Sequence, residues 1–88
     1  MANTKSAEKR IRQNEERRQR NRGQRSHMRT AVRRLRAAVE AGEAEQARTL
    51  LPDTLALIDR TAQKGIIHDN AAARYKSRLS HAVRGLEA

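Results

Sequence analysis

Residues 12–27 read Arg-Gln-Asn-Glu-Glu-Arg-Arg-Gln-Arg-Asn-Arg-Gly-Gln-Arg-Ser-His, sixteen positions without an aliphatic side chain or a Phe, Tyr or Trp. Around them, residues 5–36 hold thirteen Lys or Arg against three acids, Glu8, Glu15 and Glu16, with no proline and one glycine, Gly23. The stretch therefore lacks the breakers of a linker and is compatible with helix. A helix that is polar on every side has no protein core to lean on, so it is solvated, unstable or packed against something polar. The sign and density of this charge make a polyanion the natural packing partner.

The apolar side of this helix begins only at Met28. Met28, Ala31, Val32, Leu35, Ala38 and Val39 recur at the three-and-four spacing of one helix face, whereas the N-terminal half offers only Ala7 and Ile11. With Asn3 or Thr4 as cap and an end near Ala41, some 36 residues would span roughly 55 Å, far longer than the body of so small a domain. Gly42 and Gly65 fall where helix C-caps belong and divide the chain into three. A second helix is predicted from Glu43 or Ala44 to Lys64, with the stripe Ala47, Leu50/Leu51, Leu55, Ile58 and Ala62 and a kink at Pro52. A third is predicted from near His68–Asn70 to about Leu86, burying Ala72, Tyr75, Leu79, Ala82/Val83 and Leu86. Short connections make neighbours antiparallel. The expected fold is all-α: an antiparallel three-helix bundle with a long, projecting basic first helix. Residues 1–88 form a single domain, with 1–27 as the basic arm and 28–88 as the bundle. Without period-two alternation, strands are not expected.

Composition agrees with a partner-dependent protein. In 88 residues only 36% are hydrophobic, and Tyr75 is the sole Phe, Tyr or Trp. The net charge of +10 is unevenly placed: residues 1–36 carry +10, residues 37–59 carry −4 and residues 60–88 carry +4. Sixteen of the twenty basic residues are Arg, whose planar fork donates two parallel hydrogen bonds to a phosphate. The absence of cysteine leaves no disulfide or thiolate site and fits a reducing compartment. No apolar run approaches a signal-peptide core or a membrane span, so a soluble, cytoplasmic protein is expected.

Arg18, Arg22, Arg25, Arg29, Arg33 and Arg36 are spaced by four, three, four, four and three, so they share one face of the first helix. Adjacent members would lie about 5–6 Å apart and repel one another. Phosphates alongside would relieve that repulsion and release counterions. Lys9, Arg10, Arg12, Arg17 and Arg20 fall at other azimuths, which suits an arm inserted between nucleic-acid segments. A calmodulin-target or membrane helix would need a bulky apolar face that residues 12–27 lack. No duplex-reading motif and no aromatic stacking platform is visible, leaving backbone and shape recognition. His27, His68 and His81 have no partners spaced for a metal or a nucleophile. His68, beside Asp69, reads as a helix cap or an RNA contact, since adjacent helical residues point apart. No catalytic residue, metal, cofactor or small-molecule substrate is indicated.

These residues also resemble a known family. Residues 1–10, Met-Ala-Asn-Thr-Lys-Ser-Ala-Glu-Lys-Arg, resemble the start of the bacterial small-subunit ribosomal protein S20 family, as do Arg-Ser-His-Met-Arg-Thr at 25–30 and Ala-Ala-Val-Glu-Ala-Gly at 37–42. Residues 59–79 are the most specific, with Lys64-Gly65, Ile67-His68, Asn70, Ala72-Ala73-Arg74 and Lys76-Ser77-Arg78-Leu79 in the family's order and spacing. The resemblance implies a structural protein that binds 16S ribosomal RNA directly, early in assembly of the small ribosomal subunit, with no membrane partner. By position it implies RNA contacts from Lys5, Ser6, Lys9, Arg10, Asn21, Arg25, Ser26, Arg29 and Thr30, and from Lys64, His68, Asn70, Arg74, Lys76 and Arg78. The charge row adds Arg18, Arg22 and Arg33. Residues 43–58, with Pro52, match the family least. From the residues alone the runner-up is a histone-like protein that compacts nucleic acid without a specific site.

A helix with no tertiary packing gains little from its own hydrogen bonds. In the free protein, the amides of residues 8–24 are therefore expected to exchange rapidly with solvent. Slow hydrogen exchange there would rule out dependence of the arm on its partner.

Overall fold

A computed structural model describes residues 2–87 of the chain, with side chains from 4 to 86. Three helices follow in order: α1, Ala2–Glu40; α2, Ala44–Gln63; and α3, Asp69–Glu87. No strand occurs among the described residues. α1 begins at Ala2, so Asn3 and Thr4, the expected caps, lie inside the helix. Its 39 residues correspond to about 58 Å of helix, within a molecule measuring 67 × 20 × 15 Å. The radius of gyration is 17.8 Å, against roughly 12 Å for a compact domain of this length. The molecule is a bundle with a rod protruding from it.

The bundle begins where the sequence turns apolar. From residue 4 to residue 20 every side chain is exposed, including Ile11 at 69%. Asn21 and Gln24 are the first to be half-buried, and Met28 is the first in the core. Met28, Val32, Leu35 and Ala38 then meet Ala47 and Ile58 from α2 and Ala72, Leu79 and Val83 from α3. α2 is the middle element: it packs extensively on both neighbours, which touch each other much less.

Both helix ends at glycine are left-handed caps. Gly42 has φ 73° and Gly65 has φ 75°, a region costly for residues with a Cβ. After α1, the Gly42 N–H donates to Val39 O at 3.1 Å and the Glu43 N–H to Ala38 O at 3.0 Å. After α2, the Gly65 N–H donates to Ala62 O at 2.9 Å and the Ile66 N–H to Thr61 O at 3.2 Å. This is the paired pattern in which the residue after the glycine folds back on the last turn. At the second cap that residue is Ile66, which is buried, a core position that the linear stripes do not contain.

The buried line of α2 also departs from the expected leucine stripe. Ala47, Thr54, Ile58 and Thr61 are buried, while Leu50, Leu51, Leu55 and Leu57 are half-buried. Each threonine hydroxyl donates to the carbonyl one turn back, Thr54 to Leu50 at 2.8 Å and Thr61 to Leu57 at 2.7 Å. That satisfies the hydroxyl, so its burial does not leave a polar group unpaired. Three of these four centre-line residues, Ala47, Thr54 and Thr61, are small, and Ile58 is the one large side chain among them. Leu50 and Leu57 border α1, and Ala62 borders α3. Pro52 is exposed, and α2 continues through it without interruption. In α3, Ala72, Leu79 and Val83 are buried as expected, with Tyr75, Ala82 and Leu86 half-buried beside them.

Leu35 is fully buried at the centre of the α1 stripe. Leu35→Ala should lower unfolding free energy by about 3 kcal/mol in denaturant titration. A neutral effect would refute this packing.

Candidate nucleic-acid interface

Along the exposed part of α1 the cations have almost no internal relief. Glu15 lies 3.9 Å from Arg18 and accepts a 3.4 Å hydrogen bond from Gln19, both at the edge of contact and in solvent. Such surface pairs contribute at most a few tenths of a kcal/mol. Lys5, Ser6, Lys9, Arg10, Arg18 and Arg22 are all exposed on this rod. Lys9 lies 19 residues before Met28, roughly 29 Å of helix from the core.

Nearer the bundle the side chains take on structural partners as well. Arg25 Nη2 donates to Ile66 O at 3.0 Å, bridging α1 to the α2–α3 connection across 41 residues. A row member therefore holds the loop against the root of the arm, using one of its five donors. Thr30 Oγ1 donates to Ser26 O at 2.9 Å and remains an acceptor. Ser26, Arg29 and Arg33 are exposed.

The α2–α3 connection brings a second group of candidates close to that root. Lys64 is the exposed C-cap residue of α2. His68 caps α3: its Nδ1 accepts the Asn70 N–H at 3.0 Å, and its carbonyl accepts the Ala72 N–H at 3.1 Å. With Nδ1 accepting, the neutral ring carries its proton on Nε2, on an exposed residue. The cap reading of His68 thus holds, and leaves one ring nitrogen available.

Two cationic clefts flank α1. On its α2 side, Arg17, Arg20, Asn21 and Gln24 form a notch with Lys64, which continues into a groove lined by His27, Leu57 and Arg60. On its α3 side, Arg36 lines a cleft with Arg74, Arg78, Ala71 and Tyr75. At 100° per residue, Arg20 and Arg36 point about 160° apart around the α1 axis. The fold therefore gathers Lys64 with the arm root, and Arg74 with Arg78 and the end of the row. Lys5, Ser6, Lys9 and Arg10 remain far from both. Lys76 instead reaches Asp59 at 2.9 Å, a half-exposed ion pair joining α3 to α2. Asn70 is exposed in the first turn of α3.

Arg60 and Lys64 reach the α1 groove only through tertiary packing, so the spacing along the sequence could not supply that grouping. Arg17, Arg20 and Arg36 were visible as charge but not as cleft residues. Among the described residues no group of His, Cys, Asp or Glu could hold a metal ion, and no helix is long and apolar enough to cross a membrane.

The combination defines a class: a small helical protein whose cationic rod and flanking clefts are built to be surrounded by polyanion. Comparison with known proteins narrows it. The sequence profile of the family described as Ribosomal protein S20 matches residues 2–84. The chain is 50% identical over 86 residues to the small ribosomal subunit protein bS20 of Nitrosomonas eutropha, covering 98% of this chain and 99% of that one. It is 51% identical over 86 residues to the bS20 of Vibrio atlanticus, covering 98% and 100%. With that of Teredinibacter turnerae it is 49% identical over 88 residues, covering 100% of both. The chain belongs to the ribosomal protein S20 family.

If the rod and its root neutralise about eight phosphates, log affinity for RNA should fall against log salt with a slope of roughly −6 to −7. Arg29→Ala should flatten that slope by about one without changing stability. Arg25→Ala should do the same and in addition lower unfolding free energy by about 1 kcal/mol, through loss of the bond to Ile66. Equal stability of the two variants would remove the structural role of Arg25.

Proposed function

We propose that the chain is a structural, non-catalytic component of the small ribosomal subunit that binds 16S ribosomal RNA directly and helps the subunit assemble, in the cytoplasmic ribosome. The observation that carries this reading is the rod of α1, with cations at every azimuth and every side chain from residue 4 to residue 20 exposed. Near-complete coverage at about half identity to small ribosomal subunit proteins supports ribosomal RNA as the polyanion. Recognition is through phosphate backbone and shape, because the clefts offer mainly guanidinium forks, and Tyr75, the one Phe, Tyr or Trp lining them, is half-buried against the core. The segment before Met28 is the arm that enters RNA, and the remainder is the bundle that anchors it. The proposed contact set comprises Lys5, Ser6, Lys9, Arg10, Arg18, Asn21, Arg22, Arg25, Ser26, Arg29, Thr30, Arg33, Lys64, His68, Asn70, Arg74, Lys76 and Arg78. Within it, Lys76 can reach RNA only by sharing or leaving Asp59.

Competition binding tests the reading. The purified protein is bound to labelled 16S RNA at physiological salt, against excess duplex DNA and excess unrelated structured RNA. Binding that survives both competitors is the expected result. Equal displacement by either would favour histone-like compaction of nucleic acid instead.

A further inference from the structure

The α1–α3 cleft combines three features, the first of them shared with the α1–α2 notch of Arg17, Arg20 and Lys64. All its charged lining residues are cations, Arg36, Arg74 and Arg78. By contrast, the α2–α3 cleft holds Asp59 and Asp69, and the cleft at the end of α1 holds Glu43. None of the three guanidiniums has a hydrogen-bond or ion-pair partner among the described residues. And all three stand on packed elements. Arg36 follows the fully buried Leu35, Arg78 precedes the buried Leu79, and Tyr75, between Arg74 and Arg78, packs against the core.

Three like charges around one cleft repel one another, and no carboxylate in the lining offsets them. A phosphate group would do so, and a guanidinium fork matches its oxygens with two parallel bonds. Arg74 and Arg78 are one turn apart, about 5–6 Å between their Cβ atoms, with Arg36 facing them from the other helix. The backbone carrying each fork is already held by the bundle, so binding has only the side chains left to order. The rod of α1 is the reverse case, with charge in place and nothing in the chain to hold it.

We propose that the α1–α3 cleft is a site for an RNA backbone phosphodiester, occupied whether or not the arm is engaged. Arg36, Arg74 and Arg78 donate to the phosphate oxygens, and Tyr75, packed against the core, lines the cleft between them. The proposal rests on the reading of the protein as an RNA binder and adds a particular site to it. Arg36 becomes a contact residue through the fold, since its partners lie 38 and 42 positions away in the chain.

Arginine modification by phenylglyoxal, mapped by mass spectrometry on the full-length protein, tests this. It is run on the free protein, with 16S RNA and with millimolar inorganic phosphate. It is repeated with 16S RNA on an arm variant, Arg10→Ala with Arg12→Ala and Arg18→Ala. Protection of Arg36, Arg74 and Arg78 by 16S RNA in both proteins, but not by inorganic phosphate, is the expected result. Equal protection by inorganic phosphate would make the cleft a free-anion site and overturn the assignment to RNA. Protection confined to the arm arginines would overturn the site while leaving the RNA-binding function intact. Loss of cleft protection in the arm variant, while that variant still binds, would overturn its independence. No protection anywhere would sink the functional reading itself. Arg36→Ala with Arg78→Ala, both at exposed positions, should weaken 16S RNA binding roughly ten- to a hundred-fold with an unchanged circular dichroism spectrum. Unchanged affinity would count against the site.

Discussion

Unrelieved like charge along α1 is the constraint on which the rest of the molecule depends. Cations spaced at one helical turn interact unfavourably even in water, and the chain supplies almost no carboxylates alongside them. Half of the acids lie instead in residues 37–59, between the two basic segments. Had they been interleaved with the arginines, the rod would be self-neutralised and stable alone, but would have little to offer a polyanion. Keeping the signs apart in sequence leaves the attraction for phosphate available, at the expense of stability in the free arm.

That separation explains the economy of the bundle. A protein with a single Phe, Tyr or Trp cannot build a deep core, and the buried set here is Met28, aliphatic side chains, alanines and two threonines. Alanine at 38, 47 and 72 and threonine at 54 and 61 let the helices approach closely, and the larger leucines seal the flanks of α2. Two left-handed glycine caps turn the chain through both corners with few residues. The second of them also drives Ile66 into the core and presents its carbonyl to Arg25. The root of the arm is thereby tied to the corner that carries Lys64 and His68.

The clefts show why position along α1 matters more than charge alone. An arginine on the free rod can be reached from any side, but each contact it makes must order a flexible side chain on a marginal helix. One beside the bundle stands on a packed element, opposite cations from another helix. Arg17 and Arg20 gain Lys64 as a neighbour; Arg36 gains Arg74 and Arg78. Lys76 was drawn the other way, into an ion pair with Asp59, because α2 and α3 meet there with opposite charge.

Much of this is local and therefore legible in the amino-acid order. The apolar onset at Met28, the glycine breaks at 42 and 65, the stripe on α3 and the basic rod follow from periodicity and capping, which depend only on neighbours a few positions away. The family resemblance extends the same local patterns to a function. What the order of residues did not decide was which residues of a middle helix lie at the centre, since the apolar candidates of α2, exposed Ala56 aside, spread over about 160° of its circumference. Only packing against two neighbours chose Ala47, Thr54, Ile58 and Thr61 over the leucines. Nor could it decide which distant cations share a cleft, or that Arg25 would hold a loop carbonyl. Those depend on how α1, α2 and α3 are set against one another. Periodicity within one helix constrains its own azimuths and carries no information about its neighbours' positions, so tertiary structure alone settles them.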